Sequence, residues 1–135
     1  MSMEQKRPLH FDGMKQRLKY EANAARSRIS YRIGEKFMSR WDKFDEVNNL
    51  NNAIRWLERS LRTCPDRHPN RVNILERLAD AFDDRFQQSK DLPDLYRTIA
   101  LSEELLRCCE LTDQQRAKYS INLAACLLDL SLIHI

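Results

Sequence analysis

Cys64 and His68 stand four residues apart, a spacing at which a thiol nucleophile and its base, or two metal ligands, could meet on one helix face. Pro65 lies between them and breaks any such face. Cys64 also recurs 45 residues later as Cys109, with no histidine beside it, so the pair reads as packing. Cys108 and Cys109 are adjacent, point in different directions on a helix and lack the Cys-x-x-Cys spacing of a zinc site. His10 stands alone in a polar segment, and Asp83-Asp84 and Glu103-Glu104 read as solvated helix faces. The only glycines are Gly13 and Gly34, too few for a phosphate-cradling loop. The residues predict no catalytic site, no cofactor and no metal, and so not an enzyme.

What remains is a surface. Asn48, Asn52, Arg55 and Arg59 fall at i, i+4, i+7 and i+11, which places them on one side of a helix. Forty-five residues on, the same positions hold Pro93, Arg97, Ala100 and Glu104. Asparagine and arginine side chains in such a row can hold a peptide carboxylate or backbone. Asn48, Asn52, Arg55, Arg59 and Arg97 are therefore the predicted partner-binding residues.

A repeat positions them. Shifted by 45 residues, the chain matches itself without a gap from Leu50 to Asp84. Leu50 falls on Leu95, Ile54 on Ile99, Glu58 on Glu103, Leu61 on Leu106, Arg71 on Arg116, Leu78 on Leu123 and Asp84 on Asp129. A gapless internal repeat of this length predicts an all-α helical-hairpin solenoid of about five helices. Leu50, Ile54, Leu57 and Leu61 form the apolar stripe of the first helix, residues 46–63. Trp56 is expected to be buried against residues 29–41. Pro65 stops this helix, and Pro69 suits the first turn of the next, about 69–88. There Val72, Leu75, Leu78, Ala79, Phe82 and Phe86 point inward.

Asp91, Pro93 and Asp94 start a helix over 92–110 that buries Leu92, Leu95, Ile99 and Leu106. Thr112 and Gln115 have capping-box spacing for the last helix, about 113–129. That helix is expected to bury Ala117, Tyr119 or Ile121, Leu123, Ala124 and Leu127. Upstream, a proline-free segment from Met14 to Phe44 carries Ile29, Ile33, Phe37 and Trp41 in steps of four, a degenerate preceding unit. Gly34, Ala79 and Ala124 share one repeat position, which predicts close helix crossings there.

The units are then 13–44, 46–90 and 91–129, after a disordered lead-in over 1–12. Residues 130–135, LSLIHI, match the translation of a transposon-type sequencing adapter, so the chain is expected to be a fragment whose natural sequence continues beyond Asp129. The last helix should consequently expose an apolar strip and drive self-association.

Composition agrees with this class. The two glycines, four prolines and many Leu, Glu, Arg, Lys, Gln and Ala residues favour helices. Net charge is +3, with an excess of +6 in residues 1–44, 0 in 45–90 and −3 in 91–135. The basic first third allows, as the alternative, a nucleic-acid-associated helical repeat that uses the basic segment 6–43. The cysteines lie within helical patterns and suit a reducing cytoplasm. The most apolar run, Ile121 to Ile135, is interrupted by Asn122, Asp129 and His134, which excludes a membrane span.

Leu50, Ala53, Ile54, Glu58, Leu61, Pro65, Asp66, His68, Pro69 and Arg71 make the pattern L-x-x-A-I-x-x-x-E-x-x-L-x-x-x-P-D-x-H-P-x-R. It resembles the tetratricopeptide-like repeats of large fungal proteins, which often precede a caspase-like CHAT peptidase domain. Leu75, Leu78, Ala79, Phe82, Arg85, Phe86, Asp91, Leu92, Asp94 and Leu95 continue the resemblance, which covers residues 26–129. The second unit departs from it, with Asp113-Gln114 in place of the His-Pro pair. The resemblance implies a protein-binding scaffold whose first helices line the binding surface. A non-catalytic repeat portion of a larger CHAT-type peptidase is a further alternative. No peptidase sequence is present, so no catalytic role carries over.

Overall fold

The computed structural model describes residues 9–108 and 110–133, and these form five α-helices. They are α1 (Leu9–Phe44), α2 (Val47–Thr63), α3 (Arg71–Ser89), α4 (Leu92–Cys108) and α5 (Asp113–Ile133). Among the described residues there is no strand and no helix long and apolar enough to cross a membrane. Residues 1–8 of the expected lead-in, Cys109, and residues 134–135 of the expected adapter segment lie outside the described residues.

Local chemistry sets the breaks. Asp45 ends α1 in the left-handed region, at φ 52°. Cys64 caps α2 in an extended conformation, as a residue before proline must. Lys90 caps α3 at φ 59° and donates its N–H to the Phe86 carbonyl. α3 and α4 are therefore separate helices. Thr112 and Gln115 form the capping box: the Gln115 N–H donates to Thr112 Oγ1, and the Thr112 N–H to Gln115 Oε1. α4 begins and ends 45 residues after α2.

Each helix packs chiefly on its neighbours in the chain: α1 on α2, α2 on α3, α3 on α4, α4 on α5. The main core joins Met38 and Trp41 of α1 to Leu50 and Leu57 of α2, Leu75, Leu78 and Phe82 of α3, and Leu101 and Leu105 of α4. Fully burying each such side chain contributes about 1.5–3 kcal/mol. A smaller cluster gathers Phe86, Leu95, Ile99 and Cys126, with Leu130 against it. Polar links reach across alternate helices. Arg77 of α3 pairs with Glu35 of α1, and Lys118 and Tyr119 of α5 bond Glu76 of α3.

The stripe of α2 and the inward residues of α3 are buried as expected, with Leu61 and Val72 half-buried. In α4, Leu95 and Ile99 are buried and Leu92 and Leu106 half-buried. Several expectations need correction. α1 starts at Leu9, ahead of Gly13. Its inner face is Ala24, Ser27, Ser30, Gly34, Met38 and Trp41, whereas Ile29 is 60 % exposed. The serines are buried because Ser27 and Ser60 hydrogen-bond reciprocally, each hydroxyl to the other's carbonyl. Trp56 is only half-buried.

In α5, Tyr119 and Cys126 are buried and Leu123 half-buried, but Ala117, Ile121, Ala124 and Leu127 are exposed, because no described helix covers that side. The close crossing holds at Gly34, where an added Cβ would lie 2.8 Å from Leu57 Cγ. Ala79 is buried in the core, while Ala124 faces solvent. α5 continues through Ile133, exposing Leu128, Leu132 and Ile133 along with Ile121.

Candidate functional site

The row on α2 is largely presented to solvent. Asn48, Arg55 and Arg59 are exposed and Asn52 is half-buried. The apolar stripe of the same helix turns this row outward: Leu57 and Ser60 face α1, while Asn51 and Glu58 reach residues of α3 and α4. The Arg59 guanidinium lies 5.0 Å over the Trp56 ring, so half-exposed indole and cation form one platform. Arg55 makes no ion pair among the described residues.

The matching row on α4 is different. Arg97 is fastened to Glu58 of α2, Nη2 to Oε1 at 3.0 Å and to Oε2 at 3.2 Å, and it lies 5.6 Å from the Phe82 ring centre. Glu104 accepts from Arg71 at 3.0 Å. Arg97 therefore braces α2 against α4 and does not share the free display of Arg55 and Arg59. Its pairing partner, 39 residues away, gave no local signal in the sequence.

The thiol and imidazole do not meet. Cys64 is buried, and burial pushes its thiol pKa up, away from the nucleophilic thiolate. His68 accepts the Asn70 N–H on Nδ1 at 3.1 Å and lies beside the Tyr20 ring. Burial raises the Cys126 thiol to about 11, with help from Asp83 and Asp129. Among the described residues no group of three His, Cys, Asp or Glu side chains is arranged to hold a metal ion.

Two concavities between helices and loops were not anticipated from the sequence. One, of about 680 Å³, lies where the α2–α3 loop meets the α4–α5 connection, and Arg67, His68, Arg71, Arg107 and Glu110 line it. The other, of about 260 Å³, is an open cleft between α3 and α5 over α4. Asp80, Asp83, Asp129, Ser102 and Asn122 are among its walls. Burial raises the Asp80 carboxyl to about 6, and the negative charge of Glu76 adds to the rise. The sequence signal for this cleft was available in the repeat, in the positions that change rather than those that match.

No protein-family model, no curated protein and no solved structure matches this chain.

Proposed function

We propose that this chain is a tetratricopeptide-like helical-hairpin scaffold of the cytoplasm that binds a peptide or protein segment along α2. The observation that carries the reading is the solvent-facing row Asn48, Asn52, Arg55 and Arg59, whose amides and guanidiniums are left available beside the half-exposed Trp56. Such a row suits an extended segment: amides bond its backbone, and arginines take its carboxylates. Helices α2 and α4, equal in length and 45 residues apart, support the repeat architecture. Arg97 in this reading is a brace that keeps the row straight.

The test is a pull-down of peptides from a random acidic library, followed by calorimetry on the winners. Arg55→Ala with Arg59→Ala should weaken the selected peptides at least about tenfold, the loss expected for one or two charge-assisted hydrogen bonds. Arg62→Ala, on the same helix, should leave them unchanged. Equal affinity for the double variant and the parent chain would end this reading.

A second reading rests on α1, where Lys15, Arg17, Lys19, Arg28, Arg32, Lys36, Arg40 and Lys43 are spread along the helix, all of them exposed. Nucleic-acid binding through these residues requires a steep fall of affinity with salt. A flat salt series removes it.

A further inference from the structure

The α3–α5 cleft occupies the place that, one repeat earlier, is filled. Between α1 and α3, Arg77 Nε donates to Glu35 Oε1 at 2.5 Å. Trp41 Nε1 donates to Asp84 Oδ2 at 3.1 Å. Met38 and Leu57 are fully buried in the adjoining core, with Leu57 against Gly34. Forty-five residues later, Glu35 becomes Asp80 and Asp84 becomes Asp129, so both carboxylates remain. Arg77 becomes Asn122 and Trp41 becomes Phe86, so both donors are gone. Met38 becomes Asp83, a third carboxylate, and Leu57 becomes Ser102, which leaves the void.

The remaining charges do not close it. Glu76 is held by Lys118 and Tyr119. Arg77 approaches Asp80 only to 3.9 Å, and its Nε is committed to Glu35. Asp83 accepts a long 3.4 Å bond from Gln87. Ser102 is 4 % exposed and lines the cleft, and its hydroxyl has no hydrogen-bond partner among the described residues. Fully enclosed side-chain oxygens and nitrogens in the described residues all have partners. The Ser102 hydroxyl is therefore open to the cleft and available to a ligand.

We propose that the α3–α5 cleft binds a guanidinium or primary ammonium group carried on a short alkyl chain, received by Asp80, Asp83 and Asp129 with Ser102 at its floor. The carboxylates are not arranged for a metal ion. The open volume of about 260 Å³ has room for a chain of several heavy atoms, since about 10–15 Å³ of such space suffices for one water. The ligand supplies the group that Arg77 supplies within the chain one repeat earlier. Its source is either a free small cation or an arginine or lysine side chain of another protein.

Calorimetry on the full chain tests this with agmatine, with N-acetyl-arginine methylamide, and with the uncharged citrulline analogue as control. Agmatine should bind and the citrulline analogue should not. Binding of agmatine alone identifies a free cation, and equal or tighter binding of the blocked arginine identifies a side chain. Asp80→Asn and Asp129→Asn should each weaken binding about tenfold. Asn122→Arg, which restores the missing guanidinium in place, should abolish binding and raise Tm. The proposal is overturned if neither cation binds, if both asparagine variants bind as the parent does, or if a folded Asn122→Arg chain keeps full affinity.

Discussion

Gly34→Ala tests the close crossing of α1 and α2. In an isolated helix this change stabilises by about 0.5–1 kcal/mol, because alanine loses less backbone freedom on folding. Here the new Cβ would lie 2.8 Å from Leu57 Cγ, 2.9 Å from Cδ2 and 3.4 Å from the Leu57 backbone nitrogen. Carbon–carbon contacts are comfortable at about 3.5–4.0 Å, so Leu57 must retreat. It has nowhere to go, being fully buried in the main core. Overpacking of this kind costs about 1–3 kcal/mol. The expected net effect is a loss of about 0–2.5 kcal/mol once the propensity gain is subtracted.

Urea unfolding followed by far-UV circular dichroism measures it, with an unchanged m-value marking intact two-state behaviour. Leu57→Ala alone should cost about 2–5 kcal/mol. The double variant should be better than the sum by about 1 kcal/mol, because the methyl added at position 34 then enters vacated space. A Gly34→Ala chain more stable than its parent by the full propensity gain would refute the crossing.

Three further outcomes follow from the same packing. The Asp80 carboxyl is raised from 3.8 to about 6, so the folded state binds this proton more tightly than the unfolded chain. The charged form therefore costs stability above pH 6, and the cost disappears as pH falls through 6 towards 4. Asp80→Asn should gain about 1 kcal/mol near neutral pH, a discounted figure because half of that side chain meets water, and nothing near pH 4. Urea melts of both chains at two pH values read the difference, and a gain that is constant with pH would contradict it. α1, with 36 residues, is about 54 Å long, and α2, with 17, covers only about 26 Å of it. Amide exchange should be fast over residues 11–22, all of which are exposed, and slow from Ala24 to Trp41; uniform protection would contradict that. The exposed Ile121, Leu128 and Leu132 of α5 should cause concentration-dependent light scattering that Leu128→Lys reduces, and a monomer at every concentration would remove this expectation.

Features written in neighbouring residues were legible. Leu50, Ile54 and Leu57 declare the buried face of α2 by spacing alone, and Thr112 and Gln115 declare the start of α5. α1 misled, because its buried face is built from Ala24, Ser27, Ser30 and Gly34, whose burial depends on a serine pair and a close crossing. Ile29 carries the larger apolar signal yet stays exposed. In α5 the apolar residues are spread so evenly that no face is marked, and Tyr119 is buried in the main core with its hydroxyl on Glu76. The α2 row was legible as a face, but the commitment of Arg97 to Glu58 depends on how two distant helices meet. Matching positions drew attention to the repeat, while the replacements at Ser102, Asn122 and Phe86 carry the chemistry of the cleft.

The contrast between the two interfaces is also a contrast in elasticity. The α1–α3 joint is pinned at two points, by Glu35 with Arg77 and by Trp41 with Asp84, beside buried Leu57. The α3–α5 joint is fastened chiefly at its two ends, by Lys118 and Tyr119 on Glu76 and by Cys126 beside Phe86, with open volume between them. Close-packed protein resists compression, and a gap forfeits the attraction that would oppose deformation. The chain is therefore expected to bend more readily at the second joint than at the first. A cation bound in the cleft as proposed would act there as a splint, setting the curvature that the rest of the surface presents.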